Sequence, residues 1–61
     1  MPKFEVFKGN DRQYYFHLKA PNGEIIAQSE GYTTKQNAAN GAFSVKNNAP
    51  LADVYDLTGE G

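Results

Sequence analysis

Among the residue types that carry catalysis or bind metal, the chain holds one histidine, His17, and no cysteine. A serine nucleophile needs a base within hydrogen-bond reach, and only His17, in the middle of an alternating run, could supply it. Ser29 and Ser44 lie in different elements, and neither sits in an elbow motif. A lone histidine reads as an ordinary sheet-surface residue, so no catalytic residue is assigned and no metal site or cofactor is expected. Asp53 and Asp56 are an odd number of positions apart in a strand-like segment. They would point to opposite faces and cannot chelate together. The Asn22-Gly23 pair lies between two strands, whereas phosphate loops place their glycines between a strand and a helix, so this is turn chemistry.

The aromatic residues are more informative. Four Phe and four Tyr in 61 residues are more than one small helix can cover. Alternation leaves Phe7, Tyr15 and His17 on an uncovered sheet face beside Ile25, and these four form the candidate surface patch. With Lys3, Arg12 and Lys19 nearby, the patch has the composition of a stacking platform for single-stranded nucleic acid. A net charge of −1 argues against that partner, because few phosphates could be neutralised.

The elements that must position these residues follow from local pattern. Lys3 to Lys8 alternates, with Phe4 and Val6 on one face and Glu5 and Phe7 on the other, and reads as a first strand. Gly9-Asn10-Asp11 tolerates positive φ and turns the chain into a second strand, Gln13 to Lys19. That strand carries Tyr14, Phe16 and Leu18 on one face. Ala20-Pro21-Asn22-Gly23 reads as a three-residue loop with Pro21 and Asn22 central in a type I turn and Gly23 left-handed. This register pairs Leu18 with Ile26, Phe16 with Gln28, His17 with Ala27 and Lys19 with Ile25.

Thr33 with Gln36 fits a capping box, with Thr34 as the alternative cap, and starts a helix at Lys35. Ala38, Ala39, Ala42, Phe43 and Val45 share one arc of that helix. Its alanines and Gly41 permit close approach to the sheet, which leaves Phe43 and Val45 to supply most of the burial. Ala49-Pro50 ends the helix in an extended hinge, since the residue before proline avoids the helical region. Asp53 to Leu57 follows as a short fourth strand. The order β-β-β-α-β defines an α+β fold, an antiparallel sheet with one helix on one face, within a single domain spanning 1–61.

Size limits what this unit can do alone. Burial of about 90 kcal/mol is matched by an ordering cost of about the same size, so the monomer balance is near zero. Without disulfide or metal, oligomerisation is the remaining route to stability. Charge points the same way, because Lys3, Lys8, Arg12 and Lys19 outnumber the acids before residue 20 and acids predominate after it. No apolar run approaches membrane-span length and no signal peptide follows Met1, so a cytosolic protein with no membrane contact is expected.

The stretch Phe16-His17-Leu18-Lys19-Ala20-Pro21-Asn22-Gly23-Glu24-Ile25-Ile26, with Ser29-Glu30-Gly31-Tyr32, Asn40-Gly41 and Ser44-Val45-Lys46-Asn47-Asn48-Ala49-Pro50, resembles the YegP-like family of uncharacterised bacterial proteins. His17 departs from it where arginine is common, and Ala42-Phe43 where isoleucine usually follows Asn-Gly. The resemblance implies a β-β-β-α-β unit that occurs as a tandem repeat or as a single-repeat homodimer with one continuous sheet and exchanged C-terminal strands. This chain looks like the dimeric form, with Asp53, Val54, Tyr55, Asp56 and Leu57 as the candidate dimer contact. The resemblance brings no activity, substrate or catalytic residue.

The expected function is therefore a non-enzymatic homodimeric module for a protein or small ligand. A nucleic-acid-associated sheet protein is the alternative, and an enzyme with a site assembled across the dimer is the third reading. His17→Ala is expected to cost less than about 1 kcal/mol, as at a surface position.

Overall fold

The computed structural model describes all 61 residues. Three strands form an antiparallel meander in the order β1-β2-β3, with β1 Lys3–Lys8, β2 Tyr14–Lys19 and β3 Ile25–Gln28. Helix α1, Lys35–Asn48, packs across β1 and β2, and a 3-10 turn, Ala49–Leu51, follows it. The chain adds a bridge between Tyr14 and Tyr32 at the far end of β2.

Both hairpins use the same loop geometry. In the second, Gly23 N–H donates to Ala20 O at 2.9 Å and Ala20 N–H to Glu24 O at 2.8 Å, with Gly23 at φ +89°. This is the expected three-residue loop with its left-handed glycine. In the first, Arg12 N–H donates to Gly9 O at 3.0 Å and Gly9 N–H to Gln13 O at 2.8 Å. There the left-handed residue is Arg12, at φ 66°. The positive φ thus falls just outside Gly9-Asn10-Asp11, where residue type alone had placed it.

The register beyond the second loop differs from expectation. Lys19 does pair with Ile25, but Leu18 pairs with Ala27 and His17 with Gln28, so Ile26 is skipped. Phe16 lies opposite Ser29, whose N–H donates to Phe16 O at 2.9 Å and whose Oγ accepts from Phe16 N–H at 2.9 Å. The cause is a bulge between the Leu18 and Lys19 pairings, which inserts one residue into β3. It leaves Ile25 and Ile26 both exposed.

Helix α1 begins where expected, but its cap is Thr34, whose Oγ1 accepts from Asn37 N–H at 3.1 Å. The Thr33–Gln36 box does not form. At the other end, Ala49 keeps helical dihedrals, φ −55° and ψ −41°, and the backbone becomes extended only at Ala52. The 3-10 turn begins on Ala49 and needs no donor from Pro50 at its first turn, which removes the expected extended hinge at Ala49–Pro50. Asp53 to Leu57 forms no strand within the chain and is exposed throughout.

The core is small. Phe16, Ala38 and Ala42 are its buried residues, with the Phe4 ring edge-on to Phe16 at 6.1 Å and Tyr32 stacked on it at 6.2 Å. Close packing of helix on sheet depends on Gly41, where a Cβ would lie 2.9 Å from Phe16 and 2.6 Å from the Tyr32 hydroxyl. Phe43, expected to anchor the helix, is 61% exposed. The small residues that bring the axis close on one side leave Phe43 over open space on the other.

Candidate functional site

The pleat and the β1–β2 register build the uncovered face. Lys3 pairs with Lys19, Glu5 with His17 and Phe7 with Tyr15, and paired residues share a face. A cation row, a carboxylate–imidazole row and an aromatic row therefore lie in succession along the two strands.

Glu5 is the centre of this face. His17 Nε2 donates to its Oε1 at 2.7 Å, Lys19 Nζ lies 3.2 Å from the same oxygen, and Lys3 Nζ lies 3.4 Å from Oε2. The His17 hydrogen bond, followed by that from Lys19, holds the Glu5 carboxyl at about 2 instead of 4.5. The His17 side chain is only 13% exposed, because its ring lies against Phe7 with centroids 4.8 Å apart. Its Nδ1 is out of solvent contact and has no hydrogen-bond partner.

Phe7 in turn stacks on Tyr15 at 5.7 Å. The Tyr15 hydroxyl donates to Asp11 in the first loop, and that bond lowers the Asp11 pKa while raising that of Tyr15. The face is thus a chain of contacts from Asp11 through Tyr15, Phe7 and His17 to Glu5 and the two lysines.

The structure brings together Phe7, Tyr15 and His17 of the expected patch. Ile25 shares the face across from Lys19 but lies at its far end, 53% exposed. Reading His17 as an ordinary surface histidine does not hold, since its ring is covered by its own neighbours. Lys3 and Lys19, expected beside the patch, are there and flank Glu5, whereas Glu5 and Asp11 were missed as members of the site. Counting the first loop like the second, three residues between Gly9 and Gln13, would have placed Glu5 opposite His17.

A second concavity lies on the helix side. A groove of about 460 Å³ runs between β1 and α1, lined by Phe4, Val6, Leu18, Ala39, Ala42 and Phe43, with Pro2, Lys3 and Lys46 completing it. Lys46 Nζ sits 6.0 Å above the Phe43 ring. No His, Asp and Glu side chains cluster in numbers that could hold a metal, and no helix is long and apolar enough to cross a membrane. Asp56 accepts from Thr58 N–H at 2.9 Å and from its hydroxyl at 2.7 Å, a local turn that lowers its pKa.

A three-stranded meander under one helix, with a charged aromatic face left bare, defines a small α+β unit. The chain belongs to the family described as Domain of unknown function (DUF1508), which matches residues 10–56. It is 48% identical over 54 residues to the UPF0339 protein YegP of Yersinia pestis, covering 88% of this chain and 48% of that protein. The chain therefore spans about half the length of that relative. A solution structure of a protein from Haloferax volcanii is similar at 46% identity and a TM-score of 0.82, over 92% of this chain and 95% of that one. Protein ATU0232 of Agrobacterium tumefaciens is similar at 43% identity and a TM-score of 0.78, over 95% and 94%.

Proposed function

We propose that this chain is a non-enzymatic module that works as a homodimer, exchanging Asp53 to Leu57 between copies and offering its Glu5–His17 face to a protein or small ligand. The observation that carries this reading is its surface. The chain exposes 5088 Å², about 1,200 Å² more than the ~3,900 Å² of a compact 6.7 kDa monomer. Its Cα radius of gyration, 13.5 Å, likewise exceeds the roughly 10.5 Å of a compact chain this long.

Part of the exposed apolar surface lies after the helix, where Val54 is 97%, Tyr55 78% and Leu57 92% exposed. Apolar side chains this free of contact gain from burial against another surface, which a second copy would supply. Two further facts support pairing. The family match extends to residue 56 and so takes in the exposed segment, and a relative of twice the length has room for two such units in one chain.

The nucleic-acid alternative is disfavoured by the same face. Phe7 and Tyr15 stack on each other, and Lys3 and Lys19 are both paired with the Glu5 carboxylate, which leaves less to engage bases or phosphates. Sedimentation across the micromolar range is expected to give a dimer, with stability rising about 1.4 kcal/mol per tenfold in concentration. Anisotropy with labelled single-stranded DNA and RNA is expected to show no binding at physiological salt. A well-folded monomer whose melting temperature ignores concentration overturns the dimer, and sub-micromolar, salt-sensitive binding reinstates the nucleic-acid reading.

A further inference from the structure

We infer that Asn22 is a site of spontaneous covalent modification, at which the Gly23 nitrogen displaces the side-chain amide and the isoaspartyl linkage that results unfastens the β2–β3 loop. The reaction is internal to one hairpin and does not depend on how the chain associates with itself.

Deamidation of this kind needs an uncrowded backbone nitrogen after the asparagine, freedom to bring that nitrogen onto the side-chain carbon, and water. Of the asparagines, Asn22 and Asn40 are followed by glycine, which has no Cβ to crowd the attack. Residue type does not separate these two.

Their surroundings do. Asn22 and Gly23 are exposed, and nothing lies within 4 Å of the place a Gly23 Cβ would take, so water has free access. Asn22 Oδ1 accepts from Glu24 N–H at 3.0 Å, and the ring closed by this bond contains the Gly23 nitrogen. The same N–H faces the oxygen that becomes anionic as the side-chain carbon is attacked. Gly23 N–H itself is tied to Ala20 O at 2.9 Å, a loop bond that opens locally at little cost. Gly41, by contrast, lies inside α1, with its Cβ position 2.6 Å from the Tyr32 hydroxyl and 2.9 Å from Phe16. Turning Asn40 onto the Gly41 nitrogen breaks the helical hydrogen-bond ladder and the packing against both rings. It also releases Asn40 Oδ1 from Gln36 Nε2, which donates to it at 3.0 Å.

In the reaction the Gly23 nitrogen gives up its proton and bonds to Asn22 Cγ. The Cγ–Nδ2 bond breaks, and Nδ2 leaves as ammonia with that proton. Water then opens the cyclic imide at either carbonyl, giving an aspartyl or an isoaspartyl linkage at position 22. Either product sets a new carboxylate beside Glu24 and takes the formal net charge from −1 to −2. The isoaspartyl form also routes the main chain through Cβ, which lengthens it by one methylene. A three-residue loop closed by Ala20 N–H on Glu24 O at 2.8 Å and Gly23 N–H on Ala20 O has no slack for that insertion. Strand β3, four residues long and bulged next to the loop, is held least once the loop opens.

The test ages the full chain at mildly alkaline pH, natively and in urea. Peptide mass spectrometry reads deamidation at each asparagine, and methyl transfer by an isoaspartyl-specific methyltransferase counts the isoaspartyl product. In the native protein position 22 is expected to react at least about tenfold faster than position 40, because its loop opens more readily than a helix interior. In urea the two should run at similar rates. Asn22→Ser should abolish native methyl acceptance and Asn40→Ser should leave it. In the isolated isoaspartyl form, the Ala20 and Gly23 amides should lose the hydrogen-exchange protection they have in the unmodified chain. Equal native rates at the two positions, or reaction at position 22 only in urea, overturn the site. Unaltered protection in the isoaspartyl form overturns the unfastening of the loop.

Discussion

Glu5 and His17 face each other across β1 and β2, and their side chains meet at 2.7 Å on the side of the sheet that the helix leaves bare. Each is also held from a second direction, Glu5 by Lys3 and Lys19 and His17 by the Phe7 ring. A polar pair braced in this way joins the charged end of the face to its aromatic end.

His17→Ala is accordingly expected to cost about 1–3 kcal/mol, more than a surface change. It removes a hydrogen bond to a carboxylate and uncovers Phe7. Denaturant midpoints measure it, and a loss below about 0.5 kcal/mol would mean the ring contributes no more than a solvated side chain.

Acid should weaken the fold through Glu5. Its folded pKa of about 2 lies below the ordinary 4.5, so the unfolded chain binds the proton more readily. The stabilisation is complete above about pH 4.5, falls as pH drops, and is gone below about 2. Asp11 and Asp56, whose pKa values are also lowered, add to the same slope. Glu5→Gln should flatten the fall in melting temperature between pH 4.5 and 2, and an unchanged slope would assign the acid sensitivity elsewhere.

Gly41→Ala tests the close approach of helix to sheet. Alanine gains about 1 kcal/mol of helix propensity, but its Cβ would lie 2.9 Å from Phe16 and 3.0 Å from Tyr32 Cζ, an overpacking worth about 1–3 kcal/mol. A net loss of roughly 1 kcal/mol is expected in a thermal or denaturant melt. A gain would show that the two rings yield freely.

The two loops supply a reciprocal pair. Arg12 and Gly23 occupy the same left-handed position, at φ 66° and 89°. Arg12→Gly should stabilise by about 0.5–1 kcal/mol, strain relief outweighing the added freedom of the unfolded chain. Gly23→Ala should destabilise by about 1–2 kcal/mol on backbone grounds alone, since nothing lies within 4 Å of its Cβ. No change from either substitution in urea titrations would mean the loops tolerate either residue.

The strands, the second loop and the start of the helix are legible in the sequence because each is decided by residues within a few positions of one another. Alternation gave Phe4, Val6, Phe16 and Leu18 their common face, and Gly23 its positive φ. Helical spacing gave Ala38 and Ala42 their burial. Those same local rules placed Phe7, Tyr15 and His17 together on the bare side. The carboxylate that organises them lies twelve residues from His17 and enters only through the register of a hairpin whose left-handed residue is an arginine. The bulge at Ile26 likewise has no mark in residue type, because it reconciles the loop with the twist and packing of the whole sheet.

The sequence by itself determined an α+β unit with a charged, aromatic face and too little core for comfort. Only the tertiary structure decided that His17 is covered, that Phe43 is not, and that Asp53 to Leu57 leaves the body of the chain without a partner. Burial is a property of what else occupies the space around a side chain. For Phe43 and for Val54, Tyr55 and Leu57, no side chain of this chain fills that space.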